Sequence, residues 1–344
     1  NMIRNGADND IYITQGNGTT GFYKYSISLN SWTTLTVAPG VINDGGNMIR
    51  NGADNDIYIT QGSGAGGFYK YSISGNSWTT LTSGLLSAGG NIIRNGTDND
   101  IYATMGGVGV AFLRYSISGN SWTTLTSVPA TGGIDVGSSM ILNGAGNDIY
   151  VTQGGSKAGF FKYSISNNTW LASTQSNLSP APGSLYYGSK MIRNGADNDI
   201  YLTQGYADTG FYKYSISGNL WTILTVAPGA IYYGSNMIRN GADNDIYITQ
   251  GYNNTGFYKY SISTNSWTTL TAAPGAIHFG SKMIRNGADN DIYITQGNGT
   301  GFYKYSISGN SWTTLTAIPG IIYNGSNMIR NGADNDIYIT QGNG

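Results

Sequence analysis

The feature that most constrains this chain is its self-similarity. The segment opening Asn1-Met2-Ile3-Arg4-Asn5-Gly6-Ala7-Asp8-Asn9-Asp10-Ile11-Tyr12 returns, with small changes, at Asn47, Asn91, Ser139, Lys190, Asn236, Lys282 and Asn327, so successive units run 46, 44, 48, 51, 46, 46 and 45 residues. A repeat of this length is one supersecondary unit that cannot bury its own apolar surface and must stack on its neighbours, which leaves propellers and solenoids. A second block, G-F-Y-K-Y-S-I-S-x-N-S-W-T-T-L-T, starts at Gly21 and recurs in variant form, carrying Trp32, Trp78, Trp122, Trp170, Trp221, Trp267 and Trp312. Seven units are therefore complete.

Inside a unit the apolar pattern has period two, because Ile11 and Ile13 alternate with Tyr12 and Thr14. The 344 residues include no Glu, 52 Gly and 27 Tyr, a stock of strand and turn formers and not of helix formers. Four strands per unit are expected: in the first, strand A (Met2 to Asn5), strand B (Asp10 to Gln15), strand C (Phe22 to Ser28) and strand D (Ser31 to Thr36), joined by Asn-Gly and Gly-rich turns. The expected fold is all-β, a seven-bladed β-propeller with four antiparallel strands per blade. Residues 1–344 are read as one propeller, with units starting near 1, 47, 91, 139, 190, 236 and 282 and an extra half-repeat at 327–344.

The stretch Ile11-Tyr12-Ile13-Thr14-Gln15-Gly16, followed by Tyr25 and seven residues later by Trp32, resembles the kelch repeat, and the Tyr-to-Trp spacing holds in all seven units. The double glycine of that family is degenerate here: it reads Gln-Gly except at Gly106-Gly107, and Ser follows the Tyr where kelch repeats carry Asp. The resemblance implies a propeller and no particular activity.

Residues Asn327 to Gly344 repeat Asn1 to Gly18 letter for letter, giving eight A–B hairpins against seven C–D hairpins. Two readings follow. The chain is a piece of a longer repetitive protein, or the C-terminal hairpin completes the first blade and frees the N-terminal one to pair with a neighbouring copy, building a head-to-tail assembly.

Strand order places the A–B and C–D turns at one face and the B–C and D–A connections at the other. The first face carries 15 of the 18 Asp, all in the A–B turns. Calcium is weighed here, with Asp8, Asp10, Asp243 and Asp245 as candidate ligands, because Ca²⁺ takes several oxygens; the D-x-D-x-D-G spacing is missing, and the expectation is no cofactor. Unit four has Leu142 in place of Arg and Gly146 in place of the first turn Asp, which suggests Arg–Asp pairs such as Arg4 with Asp8, or with its counterpart in an adjacent blade, and Arg239 with Asp243. The second turn Asp is expected to bond turn backbone, the strand C cation (Lys24 and its equivalents) to lie solvated on the outer surface, and Tyr12, Tyr23, Tyr25 and Trp32 to form blade-to-blade core.

The second face is where units differ. Its later loops carry Tyr186-Tyr187, Tyr206, Tyr232-Tyr233, Tyr252, His278-Phe279 and Tyr323, beside Asn, Asp and Thr. Aromatic faces next to hydrogen-bonding groups suit sugar rings or a protein partner, so Tyr187, Tyr206, Tyr233, Tyr252, His278, Phe279 and Tyr323 are the candidate ligand-binding residues.

A net charge of −1 leaves no field for nucleic acid, and no apolar stretch approaches a bilayer span. With one His, no Cys and acids dispersed around the repeats, the means for metal, thiolate or acyl-transfer catalysis are missing. With no Cys the chain cannot make the Tyr–Cys cofactor of galactose oxidase, an enzyme whose propeller resembles kelch repeats. The expectation is a non-enzymatic extracellular or cell-surface module for binding or adhesion, with a glycan or protein ligand. The alternative is a building block of a surface layer or filament, self-associating through the surplus hairpin.

Overall fold

The computed structural model describes the chain apart from residues 1, 5–9, 15–17, 27–28, 30, 44–45, 52–55, 63–64, 84–89, 144–146, 173–177, 196–197, 241–243, 286–290, 324–326, 331–336 and 341–344. The regular structure of the described residues is all strand. Seven four-stranded antiparallel blades occupy residues 2–34, 48–80, 91–124, 140–172, 190–223, 237–269 and 283–314. In the first blade strand A is Met2–Arg4, B is Ile11–Thr14, C is Phe22–Ser26 and D is Ser31–Thr34. Register is the same from blade to blade: Ile11 faces Tyr25 in the first and Ile246 faces Tyr260 in the sixth.

Contacts divide the chain into two compact units, residues Asn1–Gly155 with Gly159–Ser176, and Ser156–Ala158 with Asn177–Gly344. The first holds blades one to four except the tip at 156–158; the second holds that tip, blades five to seven and a two-stranded hairpin, Asn327–Arg330 with Ile337–Thr340.

Within each unit the same aromatic logic joins successive blades. Strand B is buried along its length, and Tyr12 and Phe22 of blade one pack against Ile57, Ile59, Tyr71 and Trp78 of blade two. The Trp78 ring meets Phe22 edge-on at 4.9 Å, and its indole N–H donates to the Thr36 carbonyl of the preceding blade at 2.7 Å. Blade six repeats this against blade five, with Trp267 on Phe211 at 4.9 Å and on the Thr225 carbonyl at 2.7 Å. The Tyr of strand C closes the C–D turn by donating to an Asn, as Tyr260 does to Asn265 at 2.7 Å; that Asn sits at φ +48°, a left-handed position Asn tolerates. The expectation of buried aromatics holds for Tyr12 but not for Trp32, which is 60% exposed: blade one opens its unit, so no earlier blade within it covers that ring.

Two expectations, one about charges and one about the chain ends, are corrected. The strand C cation is not a lone solvated charge. Lys24–Asp10, Lys70–Asp56, Arg114–Asp100, Lys162–Asp148, Lys213–Asp199, Lys259–Asp245 and Lys304–Asp291 are ion pairs of 2.6–3.2 Å, with the carboxylate largely buried and the cation about a quarter to under a half exposed. The other carboxylate oxygen takes the backbone N–H at the far end of strand C, as Asp199 does from Ile216 at 3.2 Å, so the second turn Asp bonds strand C twice.

In blade three, whose A–B turn is described throughout, the strand A arginine bonds an Asn and not the first Asp of its own turn. Arg94 donates to Asn99 and Asp98 accepts from the Tyr102 hydroxyl at 2.7 Å; Arg239 likewise donates to Asn244 at 2.6 Å. Asp8 and Asp243 lie outside the described residues, as does Gly146. Asp98 and burial together push the Tyr102 phenol far above its ordinary range, burial being the larger cause.

The N-terminal hairpin is not free. Its strand B pairs with Phe22–Ser26 and completes blade one, so the surplus element is the C-terminal hairpin, whose strand A lies against Met283–Arg285 of blade seven.

Candidate functional site

The face that varies between units is built from a repeated knot of backbone. In blades one and three to seven the B–C turn makes a bridge to the D–A connection that follows it, as Asp208 does with Ile231 and Asn254 with Ile277. That connection then docks on the next blade, where Tyr232 donates its backbone N–H to Gln250 (2.9 Å) and His278 to Gln296 (2.8 Å). The glycine of the Gln-Gly pair is required by this docking. Gly251 has φ +78°, and a Cβ there would lie 2.5 Å from the Ser235 nitrogen and 2.6 Å from the Tyr233 carbonyl oxygen. The Gln in the first place of the pair accepts from the strand C tyrosine, as Gln204 does from Tyr212 at 2.6 Å.

On this scaffold the B–C connection of blades five and six is a tight turn whose two central residues are both left-handed. Tyr206 and Ala207 have φ +48° and +65°, Tyr252 and Asn253 +47° and +62°, and each turn is closed by a backbone bond, Asp208 to Gly205 and Asn254 to Gly251. This is the type I′ pattern, which favours Gly, Asn and Asp. Blades three and four use Gly107 and Gly155 at the first central place, with φ +56° and +58°. Blades five and six put a tyrosine there.

The rings so placed form two stacked groups in the second unit. Tyr206 stacks on Tyr186 at 5.4 Å, Tyr252 stacks on Tyr232 at 5.3 Å and meets Tyr233 edge-on at 4.6 Å, and Tyr233 lies parallel to Phe279 at 4.2 Å. A hydrogen bond with Tyr252 is the main cause that raises the Tyr233 phenol to about 12. Tyr232, Tyr252, Asn253, Asn254, His278 and Phe279 line an open depression of about 560 Å³. Asn254 is spent internally, its amide donating to the Gly251 and Tyr252 carbonyls. The Asn253 amide and the His278 imidazole make no side-chain hydrogen bond among the described residues and so face the depression as available donors and acceptors.

Of the residues expected here, Tyr252, His278 and Phe279 line the depression, Tyr233 stacks behind it, and Tyr206 and Tyr187 stand at blade five, exposed by 60% and 56%. Tyr323 lies beyond blade seven, outside the lining. The expected set lacks Tyr232, Asn253 and Asn254; Tyr232 is recognisable only once its backbone bond to Gln250 turns its ring onto Tyr252. Asp10 and Asp245, the described members of the calcium candidates, are in the ion pairs with Lys24 and Lys259, and the described residues contain no group of three potential metal-ligating His, Cys, Asp or Glu side chains.

No protein-family model matches the chain, and no curated protein matches it. Among solved structures, a fungal alcohol oxidase of the AA5 family in complex with copper is similar with a TM-score of 0.59 at 15% identity, over 86% of this chain and 72% of that one. The fold is a β-propeller. At that identity the likeness extends to the fold alone. A second similar structure, an auxiliary nutrient binding protein from Bacteroides thetaiotaomicron, has a TM-score of 0.46 at 11% identity, over 72% of this chain and 65% of that one.

Proposed function

We propose that this propeller is a non-enzymatic binding module of the kelch type that holds a saccharide against the aromatic face of blades five to seven, outside the cell or at its surface. The observation that carries the reading is the left-handed tyrosine pair. An L-residue in that conformation costs about 1–2 kcal/mol, and Tyr206 and Tyr252 accept it where Gly107 and Gly155 avoid it. Strain retained at an exposed aromatic is accounted for by a use for the ring. Parallel rings beside the unengaged Asn253 amide and His278 imidazole offer a sugar a stacking surface with donors and acceptors at its rim.

Catalysis is left out of the proposal because one His and no Cys leave the chain without a Cys–His pair or a His cluster. The test is calorimetric titration with a panel of neutral and acidic oligosaccharides against the wild type and Tyr252→Gly. A ligand that binds the wild type and is lost in the variant supports the reading; a ligand indifferent to Tyr252 and Tyr206 overturns it.

A second reading, self-association, is favoured by one observation: Ile337–Thr340 has the sequence of the strands that elsewhere pair with F-Y-K-Y-S, yet its sheet has two strands only. Concentration-dependent sedimentation tests it, and a single species at all concentrations rejects it.

A further inference from the structure

Strand A opens at the same register point in blades two to seven, facing a strand B threonine. The backbone N–H of Lys190 donates to Thr203 Oγ1 at 3.0 Å, that of Asn236 to Thr249 at 2.8 Å and that of Lys282 to Thr295 at 2.9 Å. At this point the chain has Asn47, Asn91, Ser139, Asn236 and Asn327, but lysine in blades five and seven. These are the blades entered through Tyr186-Tyr187-Gly188-Ser189-Lys190 and His278-Phe279-Gly280-Ser281-Lys282, so each lysine follows an aromatic pair of the binding face by three residues.

The first strands of blades five, six and seven adjoin in that order, and their openings are tied together. Asn236 Nδ2 donates to Ser281 Oγ (2.8 Å), Ser281 Oγ donates to the Gly234 carbonyl (2.8 Å), and Ser235 Oγ donates to the Gly188 carbonyl (3.2 Å). The two lysines therefore flank Asn236 on one bonded rim. Their surroundings differ from those of the strand C cations, which are ion-paired with aspartate in all seven blades. Lys190 and Lys282 are half-buried and have no carboxylate partner among the described residues. Burial lowers both amines, and the proximity of Lys282 adds to it for Lys190, which falls to about 8. Two desolvated like charges on one rim are a standing cost that an anion between them removes.

We propose that Lys190 and Lys282, with Asn236 between them, form the anion-recognising rim of the aromatic face, and that the saccharide bound there is an acidic one carrying a carboxylate. This rests on the saccharide reading above and narrows its ligand class.

The experiment compares oligogalacturonate with its methyl ester, which share the sugar ring and differ in charge, on the wild type and on the Lys190→Asn, Lys282→Asn double variant. Asn is the residue blades two, three and six carry at this point, and a thermal melt verifies that the variant folds. The expected result is at least tenfold tighter binding of the acid than of the ester by the wild type, weakening as salt rises, with the preference abolished in the double variant and ester binding unchanged. Equal binding of acid and ester, or a preference that survives the double variant, overturns the anion rim while leaving the aromatic site standing. Binding of neither compound overturns both.

Discussion

At the residue scale two side chains carry a cost whose removal is measurable. Tyr252 holds φ +47° where Gly would be unstrained, so Tyr252→Gly should leave thermal stability within about 1 kcal/mol of wild type, strain relief offsetting the flexibility Gly adds to the unfolded chain. The same variant should weaken saccharide binding by about tenfold or more, about 1.4 kcal/mol, in titration calorimetry. Lys190 titrates near 8 when folded against an ordinary value near 10.5, so the unfolded chain binds the extra proton between those values. Its contribution is thus unfavourable below pH 8 and is relieved as pH rises from 8 towards 10.5. Lys190→Asn should raise stability at pH 7 by roughly 2 kcal/mol after allowance for partial exposure, and flatten that rise in denaturant titrations at pH 7 and 9. Above pH 10 the sign reverses: Tyr260 and Tyr305, pushed by burial to about 12, hold protons that the unfolded chain releases, so stability falls. The aromatic residues were legible because they depart from the repeat, whereas the left-handed backbone beneath Tyr206 and Tyr252 has no letter of its own; tyrosine is not what a turn of that shape predicts.

At the element scale the informative miss is the ion pair. Asp10 and Lys24 are 14 apart in sequence and neither matches a local spacing rule, so an Arg–Asp partner four residues away looked better. Register supplies the correct partner: Tyr12 faces Lys24, and Asp10 is two residues along the same face, the diagonal neighbour across two strands. Since Asp199 also caps the Ile216 N–H, Asp199→Ala strands both a cation and a buried donor and should cost about 3 kcal/mol in urea melts, whereas Lys213→Met should cost about 1. Equal losses would mean the carboxylate serves the lysine alone. Strand identity and register were legible from period two and seven repetitions; strand ends were not, strand D stopping at Thr34 where the pattern runs on to Thr36.

At the scale of the whole molecule the two identical hairpins are in different situations, one completing blade one and the other ending in a two-stranded sheet. Identical sequence gives identical pairing chemistry, so removal of residues 1–18 exposes an edge at Phe22–Ser26 that segment 327–344 is able to fill, from the same chain or another. The chain lacking 1–18 should therefore melt well above the chain lacking both segments; coincident melts would show that the second hairpin cannot substitute. Sequence identity made the duplication legible, but it could not say which copy is incorporated, because both present the same atoms to the same strand.

The paired left-handed turn has one more consequence. Its shape is fixed by two φ values, a closing backbone bond and a bridge to the next connection, none of which uses the central side chains. Gly-Val, Tyr-Ala and Tyr-Asn already occupy it in blades three, five and six without altering the frame. Those two positions behave as a socket with exchangeable inserts, so new specificities are reachable by rewriting a pair of letters per blade while the scaffold stays constant.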